Sequence, residues 1–541
     1  MLSQLPAHPT AIGAVVVGAV LFCLLSIAGY RILLHPLSRY PGPLFARLSD
    51  AYAGFYAFRR RLHLTTFQDL QRYGPVMRHG PNKLIFNSTA ALRDIYRNDE
   101  VTKADSYLVS QTAPNVFNLF NAIDTDLHRA KRKIVGAAVS DRSMHAFEPT
   151  LRSQVDIFLK QLLACQSDVV NITDRAKWLG LDIVGHLSFG YDLRLQTDET
   201  NRFLVNAITL GNYRSNINMQ FPFIHKIHLL DAVGRFLYPS WDQFTSLLQT
   251  MISTRLAQEK DAHRDFYAHV SDALDAEPEE AKHLDLWTEA MFFTIAGGDT
   301  TAAAISGTFF YLSRNPDCYA RLAREIRSSF KSGSEIRSGP TLSNCHYLRA
   351  CIDESLRMSP PGPSTPWRQL SPASKAGAFA VDGHVVPKGV SVGVNIYSLH
   401  HNEKYFPESF KYVPDRWLPL YHSPDTLDNA AGADKRAMRD AFCPFSTGAR
   451  SCAGKSMAYL EISLTLAKTL WYFDFKPALG VLGQVGAGRK GAESGRERPE
   501  EYQLYDTFSS IHDGPCLVFA PRGDFCWSDF GLQKQEFAHS D

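Results

Sequence analysis

An excess of charge of either sign is missing from this chain: across 541 residues, 57 Lys and Arg face 55 Asp and Glu, a formal charge of +2. Nucleic-acid binding draws on a clustered basic surface and a strongly basic pI, so a pI near 8.0 excludes it as the expected partner. Paired cysteine motifs are missing as well. The nine cysteines are odd in number, scattered from Cys23 to Cys526 and never spaced CxxC, which is neither a disulfide framework nor a zinc ribbon. They read as mostly reduced core residues of a cytosol-facing protein, with room for one that carries chemistry. Internal repeats are absent, and no second proline-rich linker separates Leu44 from Pro477. One large domain is therefore expected, not the several that roughly 150 residues per domain would suggest. With 45% hydrophobic and 21% charged residues the chain is globular. Its one low-complexity piece, Gly483–Glu500, is too rich in glycine and charge to pack, and reads as a flexible surface insertion.

Hydrophobic runs long enough to cross a bilayer are scarce too: there is one. From Ala11 to Tyr30 no side chain is charged, and about 20 apolar residues span a bilayer as a helix. A cleaved signal sequence is the alternative, but no Lys or Arg precedes Ala11 to form a basic leader. Arg31, Arg39, Arg47 and the run Arg59–Arg61 follow the apolar stretch, so the positive-inside rule places the body in the cytosol. Residues 1–34 are thus expected to be a single-pass anchor. Pro36, Pro41 and Pro43 make 35–44 a stiff hinge, and 45–541 is expected to form the one large domain. The sequons at Asn87 and Asn171 should stay unmodified in that topology.

Helical periodicity dominates the remainder. Leu151, Val155, Phe158, Leu159 and Leu162 share one face, and short runs at Lys83–Asn87, Ala380–Val386 and Cys516–Ala520 supply strands. The fold class is mainly α with a minor β component.

Near the C-terminal end, Phe445, Gly448, Arg450, Cys452 and Gly454 precede an apolar-periodic helix starting at Lys455. A cysteine at a helix mouth is suited to be a thiolate ligand, because backbone N–H groups and the helix dipole lower the thiol pKa. Glycines there let the backbone approach a flat cofactor, and Arg450 can neutralise a carboxylate on it.

This loop resembles the haem-binding FxxGxRxCxG pattern of the cytochrome P-450 family, with each fixed position matched. Glu354 and Arg357 match the family's ExxR, and Arg416 and Trp417 match its PxRW element. The resemblance implies a cytochrome P-450 fold, haem b held by the Cys452 thiolate, and a buried Glu354–Arg357–Arg416 network behind the loop. Ala296–Thr301 resembles the family's AGxDT motif on a long helix over Leu286–Leu312. It implies a kink over the haem, Thr300 as hydrogen-bond donor toward dioxygen and Asp299 as proton relay. His128 and Arg132 resemble the WxxxR element with His in place of Trp. With Arg368, they are expected to reach a haem propionate. Lys131, Lys133 and Lys455 are candidates for a basic docking patch. Family position places Val116, Phe117, Phe120, Phe292, Phe293, Ser364, Trp367 and Phe508–Ile511 around an apolar pocket.

The implied activity is monooxygenation of a lipophilic small molecule, with NADPH as the indirect electron source. A separate NADPH–cytochrome P-450 reductase is implied, with cytochrome b5 as a second donor. Location in the endoplasmic reticulum membrane and a likeness to microsomal enzymes of fungal secondary metabolism complete the expectation. A haem-thiolate isomerase or dehydratase, or a non-catalytic haem-binding membrane protein, stand as alternatives.

Overall fold

The computed structural model describes residues 9–165, 168–230, 240–259, 262, 265–268, 279–418 and 429–531. The helices that place the site are α1 (Pro9–Gly29), α2 (Leu62–Tyr73), α3 (Thr125–Ala138), α4 (Asp141–Ala164), α5 (Ile172–Phe189), α6 (Phe203–Gln220), α7 (Glu279–Arg314), α8 (His346–Met358) and α9 (Lys455–Tyr472). Among the described residues, Gly13–Leu34 is the only stretch long and apolar enough to cross a membrane, and none of its hydropathic window is buried. Carbonyls at its end are taken up by arginines of the body: Arg47 donates to Ile32 O (3.1 Å) and Arg78 to Arg31 O (2.6 Å).

Helix α4 starts at Ser140, whose hydroxyl accepts from Ser143 N–H as an N-cap. Its expected face, Leu151, Val155, Phe158, Leu159 and Leu162, is buried in a core shared with α5, α7, α8 and α9. The β component is small. Five strands order as Val76–Gly80, Lys83–Phe86, Ser391–Val394, Arg368–Leu370 and Val101–Lys103, and Cys516–Pro521 runs between Val169–Asn171 and Phe473–Pro477. The run expected as one strand at Ala380–Val386 is a hairpin, Ala378–Val381 against His384–Pro387. Asp382 and Gly383 both take positive φ at its turn, the geometry an Asp-Gly pair favours.

One expectation fails on packing and one feature gains a reason. Helix α7 runs unbroken over Glu279–Arg314 through its double glycine. Its glycines serve a close crossing with α5, since a Cβ on Gly180 would lie 2.8 Å from Gly298 O and one on Gly297 2.5 Å from Val184 Cγ2. Gly483–Glu500 is also tied down, although its composition predicts no packing. Glu493 pairs with Arg59, Arg61 and Gln68 both donate to Ser494, and buried Arg496 donates to Gln503 Oε1 and Leu504 O. Polar side chains, not apolar ones, hold the segment, which is why hydropathy misses it.

Substituting Gly180 by Ala should cost about 1–3 kcal/mol, the usual penalty of overpacking. A thermal melt followed by circular dichroism checks this, and an unchanged midpoint would mean that the crossing has slack.

Candidate active site

One cavity of about 370 Å³ is lined by residues from α3, α5, α7 and α9, the Val101–Lys103 and Arg368–Leu370 strands and the Phe445–Gly454 loop. Cys452, Phe445, Arg450, Arg132, His128, Arg368 and Thr300 all line it, so every expected cofactor-binding residue converges there. Asp299 does not. Its buried carboxyl lies on the far side of the helix toward α5 and α6; burial raises its pKa, with Lys177 and Asn212 opposing.

The cysteine loop is held by its own backbone and by α3. Cys452 N–H donates to Phe445 O (2.9 Å), and Arg132 donates to Ser451 O and Cys452 O. Burial raises the Cys452 pKa, while Gly454 N–H, Arg132 and Lys455 pull it down. The expected stabilising groups, Gly454 N–H, Arg132 and Lys455, are present around a cysteine that opens onto the cavity. Gly448 has a different reason from the one expected: its φ is +78° and a Cβ would lie 1.8 Å from Tyr96 O, a close approach to protein backbone. Gly454 has open space at its Cβ position and lines the cavity.

Cations gather on one side. Arg450 donates to Ala122 O and Ile123 O, both at 2.7 Å, and Arg368 donates to Trp367 O (3.0 Å). Lys103, which sequence reasoning missed, joins them: it is buried and donates to Leu119 O (3.0 Å) and Phe120 O (2.6 Å). Burial and the fields of Arg368, Arg450 and Arg132 push its pKa well down. Burial, then Lys103 and the arginines, lowers His128 to about 3, so His128 is a neutral donor and acceptor. Among the described residues, only Glu461 supplies a carboxyl to the cavity lining. A cluster of buried Lys103 and Arg368 with half-buried Arg132 and Arg450, so little compensated, fits a flat, apolar group carrying two carboxylates, with a metal facing Cys452. That is the chemistry of haem b, and the residues present suit it.

Behind the loop, Glu354 and Arg357 are fully buried and paired through two hydrogen bonds of 2.9 Å. Arg416 (3.0 Å), Val413 N–H (2.9 Å) and Trp417 Nε1 (2.9 Å) also donate to Glu354. Burial works against the charge, yet Arg357, Arg416 and Val413 N–H hold the Glu354 carboxyl below its ordinary range. The network reaches the cysteine loop through His400, whose Nδ1 meets Arg357 O (3.1 Å) and whose Nε2 accepts from Cys443 N–H (3.0 Å).

The distal wall is aromatic. Phe120, Phe292, Phe293, Phe508, Ser364 and Ser509 line the cavity as expected, whereas Val116, Phe117, Trp367, Ser510 and Ile511 do not. Of the basic patch, Lys133 and Lys455 are exposed, but Lys131 is buried and ion-paired with Glu289 (3.1 Å). Glu461 had a legible signal, a carboxylate in register with Met457 and Leu464 on an apolar face. Lys103 had none, since nothing local marks it as buried.

Three outcomes follow for stability. Glu354→Ala leaves Arg357 buried without its partner and should cost about 3–5 kcal/mol, read as loss of folded protein. Because the folded Glu354 pKa is depressed, its contribution is complete above pH 4.5 and disappears as pH falls through the lower folded value. Glu461 runs the other way. Burial raises it to about 8 from 4.5, so stability falls as pH rises between these values. Glu461→Gln should remove that slope, raising the denaturation midpoint at neutral pH and converging with the parent near pH 4.5.

The cytochrome P-450 family model matches residues 52–481. A cytochrome P-450 monooxygenase of Alternaria alternata, AKT7, is 34% identical over 91% of this chain and 94% of its own length. A monooxygenase of Penicillium oxalicum, poxM, is 34% identical over 91% of both chains. Another from Gibberella fujikuroi, apf7, is 32% identical over 92% of this chain and 96% of its own. With Cys452 facing a cation-walled cavity and Glu354 and Arg357 buried behind it, the chain belongs to the cytochrome P-450 family and is a monooxygenase of that family.

Proposed function

We propose that this enzyme inserts one oxygen atom from O2 into a lipophilic small molecule of a secondary-metabolite pathway. The observation that carries the proposal is the meeting of the Cys452 thiol, the cations and Thr300 in one aromatic-walled cavity. Haem bound there supplies oxygen activation, its cysteine thiolate donating electron density that favours O–O cleavage. Arg132, Arg368, Arg450 and Lys103 are the binders of its carboxylates, with His128 as a neutral hydrogen-bonding neighbour. Phe445 covers the sulfur side, and Glu354, Arg357 and Arg416 hold the loop.

Thr300 Oγ1 donates to Ala296 O at 2.8 Å, so the hydroxyl proton is parked on the helix backbone until a better acceptor enters the cavity. Asp299, the neighbouring residue, is buried on the α5 and α6 side of the helix, and burial raises its pKa, which suits a proton relay that reaches Thr300 through a rearrangement. The Phe120, Phe292, Phe293 and Phe508 rings orient an apolar substrate and exclude water. Electrons come from NADPH through a separate reductase, with cytochrome b5 as a second donor, docking on the face that carries exposed Lys133 and Lys455. The apolar N-terminal helix supports anchorage in the endoplasmic reticulum membrane with the domain in the cytosol. No observation favours the isomerase, dehydratase or non-catalytic alternatives.

The reduced carbon monoxide difference spectrum tests the assignment. The full chain should give a thiolate-type band that Cys452→Ala abolishes; a band that survives the substitution overturns it. Thr300→Ala should keep the band, lower product formed per NADPH consumed by about 10- to 100-fold, as for loss of a positioned proton donor, and divert reducing equivalents to peroxide.

A further inference from the structure

One wall of the cavity is a hairpin tip. Tyr505 and Ile511 exchange both backbone hydrogen bonds (2.8 and 2.9 Å), and the residues between them turn inward, Phe508 into the cavity. Phe508 has a φ of +79°, a left-handed conformation that a non-glycine residue keeps only where its surroundings fix it. The fixing group is Asp506.

Asp506 is buried and does not itself line the cavity. Its Oδ1 accepts from Phe508 N–H (3.3 Å), from Ser364 Oγ (2.5 Å) and from Asn216 Nδ2 (3.4 Å). Its own N–H donates to Arg60 O (2.9 Å), and its carbonyl accepts from Asn216 Nδ2 (3.2 Å). Oδ2 has no hydrogen-bond partner; His63 Nδ1, on α2, stands 3.9 Å away and also has none. Burial, Arg496 and Arg61 keep His63 neutral, so the carboxyl is not held by an ion pair. What Oδ1 supplies is convergence: donors from the tip, the segment after α8 and α6 meet on one oxygen. Displacement of the tip then reaches the aromatic wall, because the Phe508 ring meets Phe120 edge-on (4.9 Å) and Phe120 stacks on Phe292 (5.7 Å).

We propose that Asp506 is the positioning residue for substrate selection, fixing the size of molecule the cavity admits by tying Phe508, Ser364 and α6 to a single buried carboxyl. The proposal rests on the reading of this cavity as the haem and substrate site. Its test uses the membrane-embedded holoenzyme and two iron-binding probes, imidazole and the bulky 1-triphenylmethylimidazole, each followed by its spectral shift. Asp506→Ala should change the ratio of the two dissociation constants by about tenfold or more, while Asp506→Asn, which keeps an oxygen in place, should stay within about threefold. Amide hydrogen exchange in 361–366 and 505–511 should speed up together in Asp506→Ala by about tenfold, with 443–454 unchanged. An unchanged ratio, or loosening confined to 505–511, overturns the proposal. Should Asp506→Ala not fold, Ser364→Ala and Asn216→Ala each remove one tie and should shift the ratio in the same direction; no shift in either overturns it. Absence of any azole shift in the parent enzyme counts against the haem reading alone, and hydrogen exchange still decides the role of Asp506.

Discussion

The position of the reactive sulfur depends on a carboxylate that never meets it. Glu354 is stripped of water and kept ionised by two guanidinium groups, an indole N–H and a backbone N–H. A buried charge is tolerable only with such full coordination, and coordination from separate segments makes it a joint. Arg357 spends its remaining donors on the carbonyls of His400, Ser409 and Lys411. His400 then carries the constraint to Cys443, nine residues before Cys452 in the sequence. Helix α8, the PxRW turn and the cysteine loop therefore move as one piece.

The cavity obeys the opposite rule. Lys103, Arg132, Arg368 and Arg450 are satisfied as donors by backbone carbonyls, yet those dipoles do not neutralise their charge. The protein has built a well-ordered and electrostatically incomplete wall, one that an anionic group would complete.

Much of this was legible in the sequence, for a physical reason. Residues that must sit at fixed offsets on one local element leave a pattern: Glu354 and Arg357 on one helical face, Cys452 at the mouth of α9, Ala296–Thr301 within a long apolar helix. Residues whose importance comes from distant segments leave none. Lys103, His400 and Asp506 are ordinary side chains until the fold buries them beside their partners. The same limit explains the misreadings. Lys131 looked like part of a solvated basic run until Glu289 arrived from α7, and Gly483–Glu500 is held by arginine and glutamate contacts that hydropathy does not weigh. The double glycine of α7 stands out in the sequence but its crossing partner does not, because the helix that presses on it lies over a hundred residues upstream.

The crossing at Gly180 and Gly298 has a consequence for how such an enzyme diversifies. At Gly180 a Cβ would meet the Gly298 backbone, and at Gly298 it would meet the Leu181 side chain, so the crossing leaves no room on either helix. The stretch of α7 bearing Thr300 is thereby locked to α5, and mutation cannot reshape it by degrees. Phe120 and the Phe508 tip come from outside that crossing, so single substitutions there alter volume without moving a helix. Change in the shape of the cavity is therefore channelled to that tip, while the stretch of helix that carries Thr300 is inherited intact.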